Sequence, residues 1–308
     1  MFDREQKRVA LGLPDEWNVD PNCKLITKIT WTAELNRSMR GYYKVAWKKN
    51  GEDAYYAMTQ FESTEARKAY PSWDEPAIKC TYSIALVARV GMVNLSNMPA
   101  IEEKPWSGGI QLESGLIGKN LSEGKNGEWI VTQFQRTPPI SSYLVGWASG
   151  EFNHLQFEYV SPLSGHQIPL QIYATSDNIG QAQFALDMKA KVMPIYEQLF
   201  DIEYPLPKLD TFIAHEFDMC SMENWGLITG RTTLLWDSEK FSLYDKMYVV
   251  EVQSHECAHM WFGNIVSPEW WTYLWLNEAF ATLVGEVIVP DKLFPEFNVR
   301  QEFLTRSL

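Results

Sequence analysis

The sequence predicts an α+β chain in two parts, an antiparallel β region over residues 1–174 and a helix-rich region over residues 175–308. Two observations carry that division. Between about Lys24 and Gln171 the apolar residues come in short runs: KLITKITWTAEL, GYYKVAWKK, KCTYSIALVARV, EWIVTQF, SYLVGWASGEF, LQFEYV and IPLQIYA. Asn50-Gly51, Pro99, Gly108-Gly109, Asn126-Gly127 and Pro138-Pro139 punctuate them, the pattern of many short strands joined by turns. Beyond Ser176-Asp177-Asn178 the spacing changes. Ala185, Met188, Val192, Ile195, Tyr196 and Leu199 recur at three and four residues, one face of an amphipathic helix.

The later elements follow from local signals. Asn or Asp ahead of that helix offers an N-cap, and Pro194 within it predicts a kink or an early end. YPLPKLD breaks the chain, LDTFIAHEF reads as a further strand, and from Ser242 onward the pattern is helical again. There are no internal repeats and no low-complexity tracts.

Composition bounds the function. Lys+Arg 27 against Asp+Glu 39 leaves 308 residues with a net charge of −12, which excludes the cationic face that nucleic-acid binding needs. Hydrophobic content of 45% supports a packed core, and no stretch approaches the ~20 apolar residues of a membrane span. Cys23, Cys80, Cys220 and Cys257 form no C-x-x-C pair, so a zinc ribbon is unsupported and the thiols read as reduced, in a cytoplasmic protein. MFDREQKRVALGLPDEWN has no apolar signal core. The Asn-x-Ser triplets at Asn36, Asn94 and Asn120 have meaning only in a secreted chain.

The chemistry concentrates in His255-Glu256-Cys257-Ala258-His259, an H-E-x-x-H motif within the helix-compatible run DKMYVVEVQSHECAHMWFG. Tyr248, Val252, His255, His259 and Phe262 share one helical face, so both imidazoles can reach one ion. Glu256 is turned roughly 100° from His255, which places it beside a metal-bound water as general base rather than on the metal. Gly263 reads as the residue that ends the helix. A catalytic zinc keeps three protein ligands and one open position. Glu278, eighteen residues beyond His259 in WTYLWLNEAFATLVGE, supplies a carboxylate from a second helix-compatible segment. His154, His166 and His215 have no such companions and read as structural or surface residues.

On these residues the chain resembles the gluzincin zinc aminopeptidases, the group of aminopeptidase N and the puromycin-sensitive aminopeptidases. The family pattern of H-E-x-x-H, eighteen residues and Glu is met by His255, Glu256, His259 and Glu278, with HMWFGNIV and WLNEAFA as flanking phrases. TQFESTEARKAYPSWDEPAIK, TPPISSYLVGWASGEF and YPLPKLD extend the resemblance upstream. It implies a saddle-like antiparallel β domain followed by the first half of a thermolysin-like zinc peptidase domain, with one Zn2+ per chain. Ala279 stands where the family has Gly after the third ligand.

Removing one residue from an amino terminus requires a group that holds the free ammonium, and carboxylates do so by charge-assisted hydrogen bonds. The resemblance assigns that role to Glu223 in Cys220-Ser221-Met222-Glu223-Asn224, matching the family's G-x-M-E-N, and to Glu62 in Thr59-Gln60-Phe61-Glu62. Gln60, Met222 and Asn224 accompany them at the substrate. Cys220 replaces the family's Gly on a segment expected to hydrogen-bond the substrate backbone, and Cys257 reads as packing. The expected activity is zinc-dependent hydrolysis of the N-terminal residue from peptides with a free N-terminus, Glu256 activating the zinc-bound water. The family's oxyanion-donating tyrosine falls well downstream of the third ligand, past Leu308, and the family's β domain starts several strands earlier. The chain therefore reads as cut at both ends. The alternative is a truncated, catalytically weak or inactive form acting as a peptide-binding or interaction protein.

Overall fold

The computed structural model describes residues 2–3, 8–9, 12, 25–106, 110–112, 115–117 and 128–307. Cys23 and Asn120 lie outside them. Residues 1–33 and 34–308 form separate compact units. In the first, Phe2–Asp3 pairs antiparallel with Arg8–Val9. Residues 25–33 of that unit carry no strand, and Ile26 and Trp31 are exposed, so the expected strand KLITKITW is a correction. Its apolar residues have no ladder to join among the described residues.

The second unit opens with β1 (Gly41–Lys49) and β2 (Glu52–Gln60), antiparallel in the register Lys49↔Glu52. Asn50 and Gly51 both have positive φ, the two-residue turn whose twist suits a hairpin. Alternation along β1 buries Tyr43, Val45 and Trp47 on one face. Next come β3 (Ala85–Arg89), β4 (Val93–Ser96), β5 (Ala100–Pro105), β6 (Trp129–Phe134) and β7 (Trp147–Gly150). They build two antiparallel sheets, β1-β2-β7-β4 and β3-β6-β5. The Asn94 side chain is buried in β4 and donates to Thr132, so of the two described Asn-x-Ser triplets only Asn36 is exposed.

A third sheet contains β8 (Asn153–Val160), β9 (Gln167–Ala174), β10 (Leu209–Ala214), β11 (Ser221–Met222) and β12 (Leu227–Arg231) in the order β8-β9-β10-β12-β11. Its β9–β10 and β10–β12 pairs are parallel, so the sheet is mixed. Two of its strands precede residue 174 and three follow it, so the change of texture at 174 is not a break in this sheet.

Against this sheet lies α1 (Gln183–Phe200), with Ala185, Met188, Val192 and Tyr196 buried. Two expectations about this helix are corrected. Pro194 does not end it early: the helix runs on to Phe200, with buried Val192, Met193 and Tyr196 on both sides of the missing N–H donor. Its N-cap is Ala182 with no side-chain cap, since Asp177 and Asn178 are both drawn to the His215 ring.

The helix α2 (Leu243–His259) starts with a capping box. Ser242 Oγ accepts from Asp245 N, and Asp245 Oδ2 accepts from Ser242 N. Its buried side is Val249, Val250, Gln253, Ser254, Cys257 and Ala258, so Cys257 is core. Met260 caps the helix, and Gly263 sits three residues later at φ +126° in a turn where its N–H donates to Val266 O. Gly263 thus shapes the following loop rather than the helix end. The chain then forms α3 (Leu274–Ala281), a π-helical turn (Thr282–Ile288), α4 (Val289–Leu293) and α5 (Val299–Ser307).

Candidate metal centre

His255 and His259 are one turn apart on α2, and their Nε2 atoms approach to 2.9 Å. Glu278 Oε2 arrives from α3 at 3.4 Å from His255 Nε2 and 3.7 Å from His259 Nε2. Phe262 stacking on Phe280 holds the α2 end against α3. A circle through those three atoms has a radius of roughly 2 Å, close to a Zn–N bond length of about 2.0–2.1 Å. Two imidazole nitrogens and one carboxylate oxygen are also the donor set of a catalytic zinc site, so the residues fit the ion.

Each imidazole is aimed from behind. His259 Nδ1 lies 2.8 Å from Phe262 O, which leaves Nε2 as the free lone pair. Glu286 Oε1 lies 2.9 Å from His255 Nδ1, approaching off the axis of the ring N–H. Burial opposes charge on both rings, but their carboxylate neighbours outweigh it. Glu278 and Glu286 raise His255 to about 9, and Glu223 with Glu278 raises His259 to about 10.

Glu256 is buried one residue along the helix, with Oε2 unpartnered. Burial raises its carboxyl to about 7, against the opposing pull of His255 and His259. A base poised near neutrality is what proton transfer requires.

The amine-site residues come from two other elements. Gln60 ends β2 and Glu62 follows it; Met222 lies in the sheet's edge strand β11, and Glu223 and Asn224 follow that. Gln60 Nε2 meets Met222 Sδ at 3.5 Å, tying the two segments together. One carboxylate oxygen from each of Glu62, Glu223 and Glu278 falls within 4.8 Å of the others. Glu62 Oε1, Glu223 Oε1, Gln60 Oε1 and Asn224 Oδ1 are all buried without a partner. Burial, then the mutual repulsion of the acids, raises Glu62 well above the carboxylate range, and burial likewise raises Glu223. Orphaned, convergent acceptors next to the three metal donors make a site for cations.

The loop carrying Glu223 is held firmly. Asn264 Nδ2 donates to Glu223 O at 2.9 Å, and Asn97 Nδ2 donates to Leu144 O and Trp225 O. Buried Lys208 donates to Ser96 O, Asp210 Oδ2 and Gly226 O, each at 2.7 Å. Gly226 has φ +85°, and a Cβ there would lie 2.2 Å from Asn97 O, so only glycine fits. Tyr143, fully buried, donates to Gly263 O at 2.7 Å and steadies the turn after α2.

Every sequence-derived candidate, His255, His259, Glu278, Glu256, Glu223, Glu62, Gln60, Met222 and Asn224, therefore sits at one centre or in the two segments that border it. Cys220 is half-buried with Sγ against Tyr248 OH on α2, and burial pushes its thiol up, away from the reactive thiolate. His215 is structural, bonded among Asp177, Asn178 and Tyr56. Sequence reasoning did not single out Glu286, Asn264 or Tyr143. The one available signal for Glu286 was a second carboxylate eight residues after Glu278.

Comparison with known proteins agrees in kind. Residues 1–144 match the peptidase M1 N-terminal domain and residues 184–308 match the peptidase family M1 domain. Aminopeptidase M1 of Arabidopsis thaliana is 38% identical over 283 residues, covering 92% of this chain and 29% of that protein. Puromycin-sensitive aminopeptidase of Caenorhabditis elegans is 38% identical over 280 residues, covering 90% and 27%. Endoplasmic reticulum aminopeptidase 2 of Homo sapiens is 36% identical over 300 residues, covering 97% and 28%. The chain thus spans less than a third of the length of these relatives. Among the described residues no helix is long and apolar enough to cross a membrane. With both of the family's domain types matched in order along it, the chain belongs to peptidase family M1.

Proposed function

We propose that the chain carries the catalytic centre of a zinc-dependent aminopeptidase, which hydrolyses the N-terminal residue from peptides with a free N-terminus. The observation that carries this reading is the convergence of three metal donors with the orphaned carboxylates of Glu62 and Glu223, sharing Glu278. His255, His259 and Glu278 would hold one Zn2+. When bound, zinc supplies Lewis-acid polarisation of the scissile carbonyl and lowers the pKa of water at the site.

The remaining steps belong to the protein. Glu256, one residue along α2 from His255, takes the proton of the attacking water and returns it to the leaving amine. Glu223 and Glu62 receive the substrate ammonium, whose charge satisfies the acceptors that are otherwise buried and unpaired. Edge strand β11 offers backbone groups to an extended peptide, while Gln60, Met222 and Asn224 border the cleaved residue. An acetylated or internal amide brings no charge to the acid pair, which supports exopeptidase over endopeptidase specificity. On this reading the chain before residue 174 supplies Gln60 and Glu62 to substrate recognition and residues 175–308 supply the metal donors and Glu256, with one mixed sheet common to both. Free Cys80, Cys220 and Cys257 support a cytoplasmic location.

The test is zinc content together with turnover of aminoacyl amides by the purified protein, with Glu256→Gln as control. One zinc per chain and release of residues only from unblocked substrates are expected. Equal cleavage of N-acetylated peptides would sink the aminopeptidase assignment.

A further inference from the structure

The helix that delivers Glu278 does not stay α-helical. After Ala281 it opens into the π-helical turn Thr282–Ile288, and Glu286 lies inside that turn. Eight residues separate Glu278 from Glu286. In an α-helix, at about 100° per residue, eight steps leave two side chains roughly 80° apart. A helix closed by i→i+5 bonds advances by only about 85° per residue, so four α steps and four π steps leave them roughly 20° apart. Both carboxylates then face α2. Glu278 Oε2 is 3.4 Å from His255 Nε2, and Glu286 Oε1 is 2.9 Å from His255 Nδ1.

Packing agrees with this geometry. The widened turn presses its backbone onto the zinc helix at Gly285, where a Cβ would stand 2.5 Å from His255 Cα. Thr282 Oγ1, 3.5 Å from Glu286 Oε1, steadies the carboxylate from one turn back. Mid-helix π turns cost hydrogen-bond geometry and cluster at functional sites.

We propose that the π turn is a register device: its one extra residue rotates Glu286 onto the face of Glu278, so that a carboxylate lies beside each nitrogen of His255 and Glu286 acts as a positioning residue for the metal. The inference rests on the zinc reading above. Glu286 does not touch the ion. It orients the ring that does, a role whose loss typically lowers metal affinity by about 10–100-fold.

Two variants test it, with zinc affinity by chelator competition and the zinc-induced rise in Tm as readouts. Glu286→Gln, nearly isosteric, should weaken zinc binding by about 10–100-fold and shrink the zinc-induced rise, while the Tm of the metal-free chain barely moves. Deletion of half-exposed Leu283 removes the extra residue. The turn can then close as an α-helix with Glu286 seven residues from Glu278, roughly 20° off its face, and zinc affinity should stay within about threefold of the parent. A parent that binds no zinc overturns the metal reading and this inference with it. If the parent binds zinc and Glu286→Gln binds it equally well, the inference alone fails. A Leu283 deletion that misfolds, or folds but loses zinc as Glu286→Gln does, also overturns it, because a residue accommodated only by the π turn should be dispensable.

Discussion

Replacing Glu223 by Gln should stabilise the metal-free chain and weaken its hold on an ammonium group. Glu223 is 3% exposed, and its Oε1 has no partner. Glu62 and Glu278 each bring an oxygen within 4.8 Å. Two full charges at that distance repel by about 3 kcal/mol at an effective dielectric constant of about 20. That figure is a ceiling. Burial raises Glu223, with His259 partly offsetting it, so the cluster keeps a proton instead of the full repulsion, and the side chain of Glu278 is 43% exposed and screened. A gain of about 1–2 kcal/mol remains, or roughly 2–8 °C in Tm for a chain of this size.

The sign depends on pH. A carboxyl whose folded pKa lies above its unfolded value of 4.5 costs nothing below that value, and the cost grows as pH rises through the window between the two. Glu223→Gln should therefore match the parent near pH 4 and exceed it near pH 7, with thermal unfolding in chelator as the assay. With zinc and a free aminoacyl amide present the order should reverse, because the parent then gains the charge-assisted bonds that Gln lacks. A variant less stable than the parent near pH 7, or equally stabilised at both pH values, would refute the idea that these carboxylates are poised for a cation.

Four further outcomes are expected. Glu278→Gln should lower zinc affinity by more than the 10–100-fold usual for outer-sphere changes, whereas Glu256→Gln should keep zinc and lose roughly 10²–10⁴-fold in turnover; metal analysis beside a rate assay separates them. Neighbouring carboxylates hold the His255–His259 pair protonated above the usual imidazole range, and the pair must shed its proton to bind metal, so zinc uptake near pH 7 should release protons and weaken as pH falls. Calorimetry in buffers of different ionisation enthalpy measures this release, and none at all would contradict it. The same raised values stabilise the metal-free fold below about pH 6.5 and are lost as pH rises through 9 to 10, so its Tm should fall across that range. Gly226→Ala should cost more than about 2 kcal/mol in urea unfolding, since its Cβ would overlap Asn97 O at a positive φ.

What the sequence made legible follows from what periodicity encodes. Spacing gives direction, so the shared face of His255 and His259 could be read from their four-residue separation, and the strand GYYKVAWKK from its alternation. Elements whose state depends on a distant partner could not be read this way. The run 25–33 has strand composition but no ladder, and Pro194 sits mid-helix because packing on either side outweighs a lost hydrogen bond. Depth was equally hidden. Nothing local in Thr59-Gln60-Phe61-Glu62 or Ser221-Met222-Glu223-Asn224 shows that both acids are buried without partners. They became candidates through resemblance, and their cost becomes visible only when the edge strand, the end of β2 and α3 are brought together.

Glu286 marks the sharper boundary of sequence reasoning. Assuming 3.6 residues per turn throughout the last helical run points it about 80° away from the metal and classes it as a surface acid. The π turn reverses that direction without any residue type that announces it; Gly285, the position pressed against His255, reads in isolation as a weak helix former. The local rule fails at the point where the chain departs from the regular helix to serve the site, as expected where local preference yields to function. The acidic excess carries the same tension. Acids that would be harmless on the surface are concentrated at one buried centre, where they destabilise the metal-free chain and become favourable once metal and ammonium charges are present. On that account stability and affinity for an ammonium group should move in opposite directions when Glu62 or Glu223 is neutralised.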